Sequence, residues 1–294
     1  MKKKIKSVKT IAKGIQLYPD SAEREYARLL SGYYAVVAKA LLPKIQRILR
    51  RMDMVIREDA RMDERFNFKK WMKQQIVEMY GDADDLLSTA QLNSMLERVS
   101  KIAETASVND WLKMCEQSMG VKLEGAYYDE ALASIKEAWV KNNVSYIKSL
   151  PEEMLDDVKD VILWGYETKQ PLVNVYHRLE KLGIGKSQAR RLARDQIGTL
   201  SYQFTRAEHE SIGVEEYLWK TRRDGRVRPC HAALNNTIHR WDNPPEMWYI
   251  TKAGIVYSGR RCHPSQDYGC RCTAVPVFNN STLKKAEAVR DGRN

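Results

Sequence analysis

The sequence predicts a mainly α (α+β) protein: an elongated N-terminal helical region followed by a small loop-rich C-terminal β-containing domain. Three observations carry this prediction. Apolar residues recur at helical spacing from Ala22 to Phe204. After Gly213 the texture changes to alternating apolar and polar residues, with frequent glycine and proline. Four of the five cysteines and three of the five histidines lie beyond that change, between Trp219 and Phe278.

The chain has 294 residues, enough for one or two domains. Its 43% hydrophobic and 30% charged content is that of a folded protein. The most apolar run, Ala35-Val36-Val37-Ala38, stops at Lys39, far short of the roughly 18 residues of a membrane helix. The N-terminus begins like a secretion signal but lacks the apolar stretch that should follow, so synthesis in the cytoplasm is expected. A net charge of +11 favours polyanionic partners, either nucleic acid such as double-stranded DNA bound without sequence preference, or an acidic protein surface.

Residues 1–18 carry Lys2, Lys3, Lys4, Lys6, Lys9 and Lys13 without an acid, and read as a basic flexible arm. The arm either contacts DNA or merely solubilises. Residues 19–186 read as the helical region. Asp20 with Glu23 forms a capping-box pattern, and Tyr26, Leu30, Tyr33, Val37, Leu41 and Ile48 follow at helical spacing. Pro43 should kink or split this helix. Phe68, Trp71, Met72, Ile76 and Met79 mark the next one. Leu86 to Ser107 gives another, and Asn109 or Asp110 is expected to cap a separate short helix around Trp111, Met114 and a buried, apolar Cys115. Tyr128 to Leu150 repeats the pattern. Pro151 is placed near the start of the following helix, with Glu152, Glu153, Asp156 and Asp157 against its dipole. Gly183-Ile184-Gly185-Lys186 lacks the spacing of a phosphate loop and reads as a turn.

Residues 187–278 form the C-terminal domain in this reading, a long helix and then a small Cys/His-rich β region. Ser187 caps the helix, Leu192, Ile197, Leu200 and Phe204 form its apolar face, and Arg190, Arg191, Arg194 and Arg206 flank it. Arg190, Arg191 and Arg194, with Lys2, Lys3, Lys4 and Lys6, are the candidate nucleic-acid contacts. His209 reads as a surface histidine near the helix end. Strands are expected around Tyr217 and Trp219, and at Thr237–Trp241, Ile255–Tyr257 and Thr273–Phe278. Residues 279–294 read as a flexible basic tail.

The Cys/His block offers Cys230, Cys262, Cys270 and Cys272 as zinc ligands, with His231, His239 and His263 as alternates. The spacing is not that of paired CxxC knuckles, and Cys270 and Cys272 are placed on one face of a strand. Structural Zn2+, unligated residues that pack and hydrogen-bond, and a disulfide formed in a released particle all remain open. A metal-dependent hydrolase or nuclease using Asp224, Asp242 or Asp267 is one alternative, but no HExxH or HxE…PCxxC arrangement supports it. A cellular nucleic-acid-binding protein is another, without helix-turn-helix, RRM or zinc-finger spacing. Asp224-Gly225 signals a hairpin turn. Arg226 and Arg228 then share one strand face, with an Asp224–Arg228 ion pair expected.

In order, the chain carries Ala193-Arg194-Asp195-Gln196, then Trp219 and Asp224-Gly-Arg226-Val-Arg228, then His231-Ala-Ala-Leu234, Trp241-Asp-Asn-Pro244-Pro245, His263-Pro264 and Cys270-Arg271-Cys272. This ordered set resembles the C-terminal domain of the phage Mu F-like minor head proteins, the phage head morphogenesis family, over residues 187–278. The matching positions are Trp219, Asp224, Arg226, Arg228, His231, Leu234, Pro264, Cys270, Arg271 and Cys272; Cys230 and Cys262 are additions to the general pattern. The resemblance implies a non-enzymatic minor capsid protein of a tailed bacteriophage, inside the head at the portal vertex. It implies a portal protein, capsid or scaffold proteins and packaged DNA as partners, and a role in head assembly or DNA ejection.

Overall fold

A computed structural model describes residues 9–57, 66–84, 86, 88–124, 129–182, 186–222 and 224–293. Among the described residues the elements run β1 (Thr10–Ile11), α1 (Asp20–Arg57), α2 (Phe68–Asp84), α3 (Thr89–Met119), α4 (Asp129–Glu167), α5 (Leu172–Lys181) and α6 (Lys186–Ser211). They continue with β2 (Glu216–Lys220), α7 (Pro229–Leu234), β3 (Ile238–Arg240), β4 (Glu246–Thr251), β5 (Gly254–Arg261), β6 (Thr273–Phe278) and α8 (Asn280–Arg290). The mainly α, α+β class is as the sequence predicts, and no described helix is long and apolar enough to cross a membrane.

The chain divides into two compact units. One holds the described residues of Tyr26–Leu96 and Val140–Arg190 and is helical. Its core follows the apolar stripe of each helix: Leu30, Leu41, Ile48 and Met52 of α1, Phe68, Met72, Ile76 and Met79 of α2, and Ile147, Leu155 and Ile162 of α4 are all buried. Of the expected kink or split at Pro43, the split does not occur: α1 continues through it. The missing N–H costs one backbone hydrogen bond, but Leu41 before it and Ile48, Leu49 and Met52 after it bury the same stripe, and that packing holds the helix together. Pro151 likewise lies inside α4 rather than at a helix start, with Ile147 and Leu150 buried on one side and Met154, Leu155 and Val158 on the other.

The second unit holds the described residues of Met1–Glu25, Glu97–Trp139 and Arg191–Asn294. An antiparallel sheet in the order β1-β6-β2-β3 pairs Tyr217 with Pro276 and His239, and Trp219 with Ala274. The hairpin β4–β5, missed on its first strand by the sequence reading, forms a separate two-stranded sheet. The expected break near Asn109 is absent, because α3 runs through it. Its polar residues serve tertiary contacts instead: Asp110 Oδ2 accepts from Leu17 N at 2.9 Å, and Ser107 Oγ accepts from Gln16 Nε2 at 2.7 Å.

Both flexible termini are corrected in part. Lys2, Lys3, Lys4 and Lys6 lie outside the described residues, but the remainder of the arm is ordered. Thr10 and Ile11 pair with Phe278 and Val277, Gln16 and Tyr18 are buried, and Lys9 bridges to Glu216 at 2.7 Å. The tail forms α8. Asn279 Oδ1 accepts from Ser281 N at 2.9 Å and Thr282 N at 3.0 Å, while Asn279 N donates to Thr282 Oγ1 at 2.8 Å. This capping box was not recognised in Asn279-Asn280-Ser281-Thr282, and Thr282, Ala286 and Val289 fix the helix by burial. The turn expected at residues 183–185 lies outside the described residues.

Candidate functional site

The Cys/His block folds around one buried cluster that contains Tyr217, Trp219, Cys230, Trp241, Met247, Cys262, Cys270 and Cys272. Strand β2 supplies the two aromatic walls, since Tyr217 and Trp219 alternate inward. Helix α7 opens on Pro229 at its first turn, where the absent N–H has no intrahelical partner, and it buries Cys230 and His231. Neither Arg226 nor Arg228 lies on a strand: Asp224 Oδ1 accepts from Arg226 N at 3.1 Å in a local turn, and Arg228 is the N-cap residue of α7.

The loop after β5 brings the remaining ligand-type residues in. His263 N donates to Gln266 Oε1 at 2.9 Å, Cys270 N to the Asp267 carbonyl at 2.9 Å, and Ser265 Oγ to the Cys272 carbonyl at 2.8 Å. Gly269, at φ 62°, donates its N–H to Asp195 Oδ1 of α6 at 3.0 Å. On the same helix Gly198 admits the loop closely: a β-carbon there would lie 3.1 Å from the Ser265 carbonyl and 3.2 Å from that of Cys270. Cys270 and Cys272 therefore sit in an irregular loop rather than on the expected strand, held by backbone bonds on several sides.

At the centre, His231 Nδ1 lies 3.6 Å from Cys270 Sγ and 3.7 Å from Cys272 Sγ. The other ring nitrogen, Nε2, lies 3.2 Å from Asp267 Oδ2. Asp267 also accepts from Arg228 at 2.8 Å and, through Oδ1, from Arg260 at 2.8 Å. The ion pairs thus differ from the expected Asp224–Arg228 pair: Arg228 goes to Asp267, and Asp224 pairs with Arg271. Sequence spacing could not reveal that Asp267, 39 positions along the chain, reaches Arg228 in three dimensions. Asp267 is the functional neighbour the sequence reading underused, named only as one of three available acids.

The electrostatics follow from this geometry. Burial pushes the Asp267 carboxyl up, but His231, Arg228 and the Tyr268 N–H outweigh it and hold it down at about 2. Burial pushes His231 down, but Asp267 and Cys270 outweigh it and raise it to about 9. The thiol of Cys270 is lowered, first by its hydrogen bond with Cys272 and then by His231, while Cys272 is raised by the same bond and by burial. The cluster therefore groups two thiols, an imidazole and a carboxylate, whose shifts favour the charged forms of Cys270, His231 and Asp267, and its atoms are donors suited to a thiophilic cation.

The four cysteines proposed as one zinc set all lie in this buried cluster, but only two of them fall within one tight ligand group. His231, Cys270 and Cys272 offer ligand atoms within 4.8 Å of one another, whereas Cys230 and Cys262 fall outside that group. Cys230 is buried in the same cluster but outside that group, and Cys262 Sγ lies 3.8 Å from an Arg260 guanidinium nitrogen. All five cysteines are free thiols. The alternates His239 and His263 have other partners. His239 Nε2 lies 2.7 Å from Thr237 Oγ1. His263 Nδ1 lies 2.9 Å from the Tyr217 hydroxyl, and burial and Arg206 depress it to about 4. His209 is no surface residue: it is fully buried and accepts from Trp241 Nε1 through Nδ1 at 3.1 Å.

A cavity of about 230 Å³ adjoins the cluster. Arg191, Arg194, Arg222, Arg226, Arg228 and Arg271 line it, with Asp224 and with His231, Cys270 and Cys272. Of the proposed nucleic-acid contacts, Arg191 and Arg194 face this cavity; Arg194 is half-buried and pairs with Glu23 at 3.3 Å. Arg190 is exposed on α6. Among the other motif positions, Leu234 packs against the aromatic cluster and Pro264 is buried.

An uncharacterized protein of Haemophilus influenzae (strain ATCC 51907 / DSM 11121 / KW20 / Rd) is 29% identical over 145 residues, covering 49% of this chain and 30% of that protein. The chain thus spans less than a third of the length of this relative. No solved structure matches significantly. The model of the family described as Phage Mu protein F like protein matches residues 156–275, beginning within α4 and ending within β6, so the C-terminal part of this chain is similar to that family.

Proposed function

We propose that the protein is a minor head protein of a tailed bacteriophage, a non-enzymatic component that sits at the portal vertex and contacts packaged DNA. The observation that carries this reading is the Phage Mu F-like match over residues 156–275, which makes head morphogenesis the coarse assignment. The geometry supports a structural part. The motif residues hold one module together: Trp219 is buried, Arg228 and Asp224 are committed to Asp267 and Arg271, and Leu234 and Pro264 pack. The +11 charge suits an occupant of a DNA-filled head, held by phosphate contacts without base readout.

The hairpin β4–β5 gives such a protein a surface to dock with. Tyr249, Ile250, Ile255, Val256 and Tyr257 are all exposed on it. Apolar side chains clustered on an exposed two-stranded ribbon are typical of protein–protein contact sites, here with portal or capsid subunits. Deletion of the gene from the phage genome tests the assignment: particles should assemble poorly or fail to deliver DNA. Plaques at normal number and size from the deletion phage would overturn it.

A further inference from the structure

His231 Nδ1 is 3.6 Å from one thiol and 3.7 Å from another. A ring nitrogen has a single in-plane direction for its proton or lone pair, so it can serve one sulfur in a well-aligned hydrogen bond, not two. Two sulfurs nearly equidistant from one nitrogen describe ligands arranged around a shared ion. Tetrahedral zinc with Zn–S of about 2.3 Å and Zn–N of about 2.0–2.1 Å has N···S edges of about 3.6 Å. The observed separations match those edges before any ion is added.

The donor chemistry agrees. Two thiols and an imidazole select zinc over magnesium or calcium, which prefer oxygen. The second ring nitrogen of His231 lies 3.2 Å from Asp267 Oδ2, too poorly aligned for a hydrogen bond but close enough that a small ring rotation would give the carboxylate–histidine pairing that orients a metal-bound imidazole. Asp267 is fixed in turn by Arg228 and Arg260. Each sulfur is pre-positioned by its loop, through the Cys270 N–H to the Asp267 carbonyl and the Ser265 hydroxyl to the Cys272 carbonyl. Among the described residues no fourth His, Cys, Asp or Glu completes the group. Three protein ligands with a fourth position left to solvent or ligand distinguish an open zinc site from a closed structural one. All three ligand residues line the arginine-rich cavity, together with Arg191, Arg226 and Arg271.

We infer that His231, Cys270 and Cys272 bind one zinc ion, the thiols losing their protons on binding, and that its fourth position opens into the arginine-lined cavity and takes a phosphate-type oxyanion. The inference stands independently of the assignment to a phage head, because it rests on this cluster alone.

The test uses the full chain, purified under reducing conditions without a metal-affinity tag. Metal analysis should find about one zinc per chain. The metal should be lost in His231→Ala and in Cys270→Ser with Cys272→Ser, and kept in Cys230→Ser and Cys262→Ser. Wild-type protein stripped of metal and reloaded with Co2+ avoids reliance on variants that fail to fold. It should show sulfur-to-cobalt charge transfer and tetrahedral visible bands, which shift when inorganic phosphate is added and shift less in Arg191→Ala/Arg226→Ala. A folded wild-type protein that takes up neither zinc nor cobalt overturns the site. Loss of metal in Cys230→Ser or Cys262→Ser at full fold overturns the ligand set. Cobalt bands that ignore millimolar phosphate overturn the open position.

Discussion

Glu208 and His209, neighbours on α6, set an opposed pair of pH dependences that can be worked out from their surroundings. Both are fully buried. Glu208 Oε2 accepts from Gln16 Nε2 at 2.5 Å and Ser107 Oγ at 3.2 Å, and Oε1 has no hydrogen-bond partner. Burial raises its carboxyl from 4.5 to about 8, against those two donors and with Asp110 adding to the rise. A carboxyl raised on folding stabilises fully below its unfolded value, and that contribution is lost as pH rises through about 8. His209 is depressed by burial from 6.5 to about 3, so its contribution is present above 6.5 and lost as pH falls through about 3. From about 4.5 to 6.5 the two slopes cancel; from 6.5 to about 8 Glu208 acts alone and costs about 2 kcal/mol at about 1.4 kcal/mol per pH unit. That corresponds to a fall in Tm of about 4–8 °C. Thermal melts across this range, on wild type and Glu208→Gln, check it. The Gln variant should lose most of the alkaline fall, and its acid fall should begin near 6.5 rather than near 4.5, since nothing then offsets His209. An equal alkaline fall in both proteins would refute the assignment of the slope to Glu208.

Five other outcomes are expected. Gly198→Val should destabilise by about 1–3 kcal/mol in denaturant melts, because even its β-carbon presses on the carbonyls of Ser265 and Cys270. Asp267→Ala should cost about 3 kcal/mol in the same assay, since it strands His231 in a buried site and frees Arg228 and Arg260. Asn279→Ala should cost about 1 kcal/mol through the lost cap of α8. Ile250→Ser with Tyr257→Ser on the exposed hairpin should leave the melting curve within about 0.5 kcal/mol of wild type and still abolish incorporation into heads. DNA mobility shifts should weaken by roughly 100-fold between 50 and 200 mM salt, the loss expected when about four phosphates are contacted; binding indifferent to salt would exclude the phosphate-contact reading.

The helices were legible because burial writes a 3.6-residue period into the sequence, as in Phe68, Met72, Ile76 and Met79. The strands at β2, β3, β5 and β6 were legible from alternation around Tyr217 and Trp219 and from β-branched runs. Breakers misled where tertiary contacts outweighed them: Pro43 read as a kink or split, Pro151 and Asn109 as helix starts, and each lies within a continuous helix. Local propensity measures the isolated segment, and packing on both sides of a proline is invisible to it. The termini misled for the same reason, since Thr10 and Ile11 gain structure only from β6, hundreds of positions along the chain. At the site, the sequence named His231, Cys270 and Cys272 among seven candidates but could not sort them. Adjacent residues on a short helix point apart, and residues of one loop converge, only once the turns at Asp224, Ser265 and Gly269 are in place.

The most direct measurement is the protein content of purified heads. Particles banded from a lysate of the phage that encodes this chain should contain it, at a few copies per DNA-filled head, in quantitative mass spectrometry. Abundant chain in the lysate with none in the heads would contradict its assignment as a head protein.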